Sequence, residues 1–284
     1  MATRKLKKLF KAYSNPEFLN SPSARTIRVL SEMIEPAARL RYHHIWNTVA
    51  FFGSARTIPQ KMARANFKKV KNRLSKARTP SLKMKNEYKN ALIDMKTSRY
   101  YEDACNLSQK LTEWFKKPAQ SKKNFVIASG GGPGIMEAAN KGAERGKGKS
   151  IGLNISLPME QHPNPHQTHE ISFDFHYFFI RKFWFFYLAK ALVVFPGGFG
   201  TLDEMFELLT LIQTKKSRKY MPIVLFGKEY WDNIVNFDLM LNWGMISKED
   251  LKLFHVFDDV DEAFNFLSKE LKKYYMIPYK KKKR

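Results

Sequence analysis

One cysteine in 284 residues, Cys105, rules out any intrachain disulfide. The opening stretch MATRKLKKLF carries no apolar core of the kind a secretory signal needs. Both absences lead to the expectation of a reducing compartment, most simply a cytoplasm. Long apolar runs are missing as well. The nearest approach, Phe173 to Phe195, is broken by Arg181, Lys182 and Lys190, so it reads as buried protein core and implies no membrane partner. Acidic residues are scarce: 26 against 50 lysines and arginines leave a formal net charge of +24, which favours an anionic partner such as nucleic acid, an acidic membrane or a phosphorylated metabolite. The excess lies in the N-terminal arm, between Lys61 and Lys85, and in the tail Lys280 to Arg284. Solvated helix face and disordered tail are the preferred readings of these runs, over a dedicated nucleic-acid site.

What is present is a regular alternation. An arm to about Tyr42 reads as two helices, the second starting at Ala24 and disturbed by Pro36. Trp46 to Phe52 reads as a buried first strand ending at Gly53-Ser54, and a long helical pattern runs from about Leu82 through Trp114. Strands follow at Phe125–Ser129, Ser150–Ile155, Ile171–Asp174, Ala191–Phe195, Pro222–Phe226 and near Phe254–Phe257. Helices fall at Pro133–Arg145, Tyr177–Lys190, Thr201–Gln213, through Trp231, and at Val260–Tyr274. Short apolar strands alternating with helices predict an α/β fold: a Rossmann-like, doubly wound parallel sheet with helices on both faces, plus an N-terminal helical extension. The expected organisation is a basic extension at 1–42, a Rossmann-like domain at 43–275 with a basic helical insertion at about 57–100, and a basic tail at 276–284.

Two strands end in glycine-rich turns that open into helices: Ser129 to Glu137 (SGGGPGIME) and Val194 to Glu204 (VFPGGFGTLDE). Glycines permit close backbone approach, and the first amides of a helix lack acceptors, so each turn is a candidate phosphate cradle. Gly131 and Gly132 in the first turn and Ser54 after the first strand are substrate-binding candidates on this reading. Two familiar motifs fail. A dinucleotide fingerprint would need glycine where Ile135 stands, and the Walker-like Gly142 to Ser150 has one residue too many and precedes a strand instead of following one.

The run Pro196 to Glu204 (PGGFGTLDE), the upstream pair Arg181-Lys182 and the earlier turn GGGPGIME resemble the signature of the Lonely Guy family of nucleotide phosphoribohydrolases, in its larger bacterial branch. The similarity extends over roughly Thr48 to Leu267. It implies a hydrolase that cuts the N-glycosidic bond of a nucleoside 5′-monophosphate, of the AMP or cytokinin riboside type, to free base and ribose 5-phosphate. By the same resemblance Arg181 and Glu204 are catalytic, while Glu160, Lys182, Gly197, Gly198, Phe199, Gly200, Thr201, Leu202, Asp203 and Thr210 hold the nucleotide. A homodimer or larger homo-oligomer is implied too. Asp203 stands where plant members have glutamate, and the loop between Glu160 and Arg181 is longer, which bears on base preference. Proteins with this signature have often carried a lysine decarboxylase label, yet nothing in the sequence motivates a pyridoxal phosphate site, and no cofactor is expected.

Glycosidic cleavage builds positive charge on the ribose and negative charge on the departing base. Glu204, expected to be kept ionised by the helix N-terminus, would stabilise the sugar or take a proton from water. A plainer reading makes Thr201 and Glu204 a capping box. Arg181, among Phe178, Phe179, Phe183 and Trp184, is expected to be partly buried and to face a carboxylate or ligand. His162, His166 and His169 lie in a loop whose prolines oppose a metal site, and no metal is expected. Cys105, Trp114 and Phe115 read as core. The alternative function is a nucleotide-sensing or nucleic-acid-binding protein that uses the same cradle without turnover.

Overall fold

A computed structural model describes residues 9–117, 124–156 and 163–276. Its seven strands are β1 (Asn47–Phe52), β2 (Phe125–Ser129), β3 (Ser150–Ile155), β4 (Phe173–Phe175), β5 (Ala189–Val194), β6 (Ile223–Phe226) and β7 (His255–Phe257). They form one sheet in the order β4-β3-β2-β1-β5-β6-β7, parallel at every pairing. The winding reverses between β1 and β5, and such a switch point opens a crevice beyond the carboxyl ends of the strands.

The inner strands are mostly apolar and buried because both faces of the sheet are covered there. Within β1, Val49 and Phe51 face one core while Ala50 and Phe52 face the other. The first core is closed by α4 (Leu82–Phe115), α5 (Ile135–Arg145) and α10 (Val260–Leu271), through Tyr101, Leu107, Leu111, Ala138 and Leu267. The second is closed by α6 (Phe178–Leu188), α7 (Phe199–Gln213) and α8 (Lys228–Ile234), through Ile180, Trp184, Met205, Leu208 and Trp231. Burying each large side chain is worth roughly 1.5–3 kcal/mol against exposure, which is why the two periodicities dominate the fold. Cys105, Trp114 and Phe115 are buried as expected. Among the described residues no helix is long and apolar enough to cross a membrane.

The expected architecture is the observed one; several boundaries differ, each for a physical reason. In the arm, α1 (Pro16–Leu19) is a single turn capped by Asn15, and α2 (Arg25–Tyr42) runs straight through Pro36. Proline 36 lacks the N–H that would bond the Glu32 carbonyl, and the indole N–H of Trp184 donates to that carbonyl instead, at 2.9 Å. The helix therefore continues through a residue that was expected to disturb it. Helix α5 starts at Ile135, two residues after Pro133, because Gly134 takes a left-handed φ of 71° and lies against the Ser54 carbonyl, where a Cβ would come within 2.3 Å. A short helical turn at His169–Ile171 displaces β4 to Phe173–Phe175. Helix α6 passes into β5 without a loop, so β5 begins at Ala189 and not at Ala191. An unexpected helix, α9 (Phe237–Asn242), follows α8, and a π turn at Lys272–Met276 succeeds α10. The tail from residue 277 lies outside the described residues.

The stretch after β1 forms a helical hairpin from α3 (Gln60–Ser75) and the first turns of α4. Phe67 and Tyr88 pack against each other inside it and Arg73 pairs with Glu87, while its other lysines and arginines are exposed.

Candidate active site

Three turns, after β1, β2 and β5, meet at the switch point. The Ser54 N–H donates to the Pro196 carbonyl at 2.9 Å and the Ile135 N–H to the Ser54 carbonyl at 3.0 Å, so the turns brace one another. The Tyr230 hydroxyl donates to the Gly197 carbonyl, fixing the last turn from α8. Gly197 has no room for a side chain: a Cβ there would lie 2.1 Å from Thr201 Oγ1. The first amides of α7, at Phe199, Gly200 and Thr201, have no helical acceptor and are free to hold an anion. Together these segments enclose a cleft of about 710 Å³.

Arg181 reaches this cleft from the first turns of α6. Its Nε donates to the Leu153 carbonyl at 2.7 Å, its guanidinium lies 5.3 Å from the Phe185 ring centroid, and a Cβ built on Gly130 would lie 2.5 Å from Nη2. Glu204 approaches from the second turn of α7, with Oε1 3.9 Å from Arg181 Nη1. Burial pushes the Glu204 carboxyl up to about 7, against the pull of Arg181 and Lys182. The helix N-terminus, expected to keep this group ionised, is outweighed by desolvation. Burial also lowers Arg181, with Glu204 opposing.

The capping-box reading is corrected as well. Helix α7 begins at Phe199 with Gly198 as its cap and no side-chain capping bond, so Thr201 and Glu204 lie inside the helix. Their side chains are left to face the cleft.

Of the residues expected to bind substrate, Ser54, Gly132 and Gly197 to Asp203 line the cleft together with Arg181 and Glu204. Three stand away from it. Lys182 bonds Asp203 at 2.7 Å and Glu207 at 2.9 Å, clamping α6 to α7. Thr210 is exposed, its hydroxyl donating to the Phe206 carbonyl. Gly131 offers its carbonyl to Asn164 and Gln167, which pins the following loop. Glu160 and His162 lie outside the described residues. His166 faces Glu144 at 2.6 Å, and among the described residues no group of three potential ligands is placed to hold a metal.

Arg56, Met136, Asn154, Phe178, Tyr230 and Ile234 also line the cleft and were not singled out from sequence. Arg56 carried a local signal, two residues beyond Ser54 in the turn after β1. Tyr230 carried none, since only the return of the chain after β6 brings it to Gly197.

Residues 136–267 match the family model described as "Possible lysine decarboxylase". The resemblance read from the signature motifs is borne out over that segment. A decarboxylase that holds an aldehyde cofactor as an imine needs a free lysine amine. Lys182 is tied to two carboxylates and no lysine lines the cleft among the described residues, so this site does not fit such a cofactor. No curated protein matches the chain in sequence. Similar solved structures include the X-ray structure of TM1055, 17% identical over 78% of this chain and 99% of that one, with a TM-score of 0.45. The Moco carrier protein from Chlamydomonas reinhardtii is 18% identical over 80% of this chain and 99% of its own, with a TM-score of 0.45. The molybdenum cofactor binding protein from Rippkaea orientalis is 18% identical over 59% and 87%, with a TM-score of 0.39.

Proposed function

We propose that this chain, whose residues 136–267 match that family model, hydrolyses the N-glycosidic bond of a nucleoside 5′-monophosphate to free base and ribose 5-phosphate. The reading rests above all on one observation. A carboxyl with a proton affinity near neutrality stands 3.9 Å from a guanidinium, in the same cleft as a turn of free amides. The amides of Phe199 to Thr201 receive the 5′-phosphate, and Arg56 at the rim adds positive charge. Phosphate binding anchors the sugar, so that binding energy serves the reaction at C1′.

Ionised Glu204 takes a proton from water as the water oxygen bonds to C1′; the C1′–N bond breaks, and the proton passes on to the departing base. A carboxyl that titrates near 7 suits both halves of that transfer. Arg181 contacts phosphate, ribose or base from its fixed position over Gly130. The partner implied is the nucleotide, with a homo-oligomer as the assembly to test by sedimentation.

Purified protein is incubated with a panel of nucleoside monophosphates, including AMP and cytokinin-type nucleotides, and free base and ribose 5-phosphate are assayed. Release of both, lost in Glu204→Ala while nucleotide binding persists, supports the hydrolase. Binding without release would leave a nucleotide-binding protein that lacks turnover.

A further inference from the structure

A second cleft, of about 810 Å³, lies beside the first, between α4 and α8. Ser54, Arg56, Gly197, Tyr230 and Ile234 line both. The wall they share includes Gly197, two residues before the first of the amides at Phe199 to Thr201 that line the first cleft, so a phosphate on those amides lies close to the boundary between two compartments, each large enough for a small ligand. A nucleoside monophosphate ends at that phosphate and fills one side only. We propose that the second cleft takes the far nucleoside of a pyrophosphate-linked dinucleotide whose near nucleoside 5′-phosphate occupies the catalytic cleft. This rests on the placement of the phosphate in the proposed function.

The lining of the second cleft suits a nucleoside. Asp94 on α4 offers a carboxylate, the acceptor that dinucleotide sites present to vicinal ribose hydroxyls, and Asn90 and Asn233 offer amides from facing helices. Tyr100 and Ile93 supply apolar surface on which a base can lie. Lys96 on α4 pairs with Glu229 on α8, which ties the two walls together. Arg56, common to both clefts, brings the fixed charge that a second phosphate requires. Asn90, Ile93, Asp94 and Lys96 all belong to the segment at about 57–100 that reads as an insertion into the family pattern. One wall of the compartment thus belongs to that segment, and the other is made by the turns after β1 and β5 and by α8.

The test is calorimetric titration of the full chain with AMP and with P1,P2-di(adenosine-5′) pyrophosphate, alongside the AMP hydrolysis assay. The expected result is at least tenfold tighter binding of the dinucleotide. Asn233→Trp, an exposed position that would fill the cleft, and Asp94→Asn should each remove most of that advantage and leave AMP binding and hydrolysis unchanged. Equal affinity for the two ligands in the wild-type protein overturns the inference, as does an equal loss for both ligands in the variants. Tight dinucleotide binding without AMP hydrolysis would retain the second compartment and remove the hydrolase; no binding of either ligand would overturn both.

Discussion

Arg181 Nη1 stands 3.9 Å from Glu204 Oε1, beyond hydrogen-bonding distance, with both side chains shielded from water. The gap has a cause: the guanidinium is anchored elsewhere, by the Leu153 carbonyl and the Phe185 ring, so it is not drawn onto the carboxylate. It also has an effect. A direct bond would stabilise the ionised carboxyl strongly, whereas coupling across this distance leaves desolvation in command and the carboxyl near 7. Arg181 keeps N–H donors for a ligand, and Glu204 keeps a proton it can exchange.

The first prediction concerns rate against pH. If ionised Glu204 starts the reaction, kcat/KM for nucleotide hydrolysis rises with pH through a limb centred at about 7 and levels above it. Glu204→Gln lowers kcat by about 10²- to 10⁴-fold and abolishes the limb. A wild-type limb centred near 4.5, or a surviving limb in the variant, would contradict the assignment.

The same group makes a prediction about stability. Its folded-state value of about 7 lies above the ordinary carboxyl value of 4.5, so the folded protein binds the extra proton between those values. Folding is therefore unpenalised at low pH, and a cost grows as pH rises from about 4.5 through 7. Glutamine does not titrate. The Tm of Glu204→Gln relative to wild type should thus be more favourable at pH 8 than at pH 5; the attraction of Arg181 acts on the ionised carboxyl only and is already contained in its value of about 7.

The division of labour between sequence and structure follows from the range of each signal. The layer order was legible because strand alternation and glycine turns are local, and the glycine turns mark the crevice whatever the strand order. The acidity of Glu204 was not legible, since its burial depends on the meeting of segments distant in sequence at one cleft. Lys182 shows the converse: its place in the R-K pair suggested a ligand contact, yet its neighbours on α7 claim the charge. The inserted segment reads as a basic surface, and only its packing beside α8 brings Asn90 and Asp94 to the edge of a cleft.

The glycine turn offers a graded test. A Cβ at Gly197 collides with Thr201, whereas Gly198 and Gly200 have no atom within 4 Å of the position it would take. Gly197→Ala should lower both Tm and nucleotide affinity. Gly198→Ala and Gly200→Ala should leave Tm within about 2 °C, since open surface substitutions cost little. If phosphate approaches the backbone there, they should still weaken AMP binding about tenfold or more in a calorimetric titration. Unchanged affinity in both would move the anion away from this turn.

The last prediction addresses how the N-terminal arm supports the site. Trp184 on α6 supplies the Glu32 carbonyl with the donor that Pro36 withholds, and the Glu32 carboxylate accepts the N–H groups of His176 and Tyr177 just before Arg181's helix. Trp184→Phe should cost about 1–3 kcal/mol in urea unfolding, because it leaves a carbonyl without a partner as well as losing packing. In a Pro36→Ala background the new N–H of residue 36 can take that carbonyl, so the same replacement should cost less, by about 1 kcal/mol. Strict additivity would mean that the indole acts by packing alone. A positive coupling accompanied by a lower kcat in Trp184→Phe, restored in the double variant, would tie the arm to the placement of Arg181.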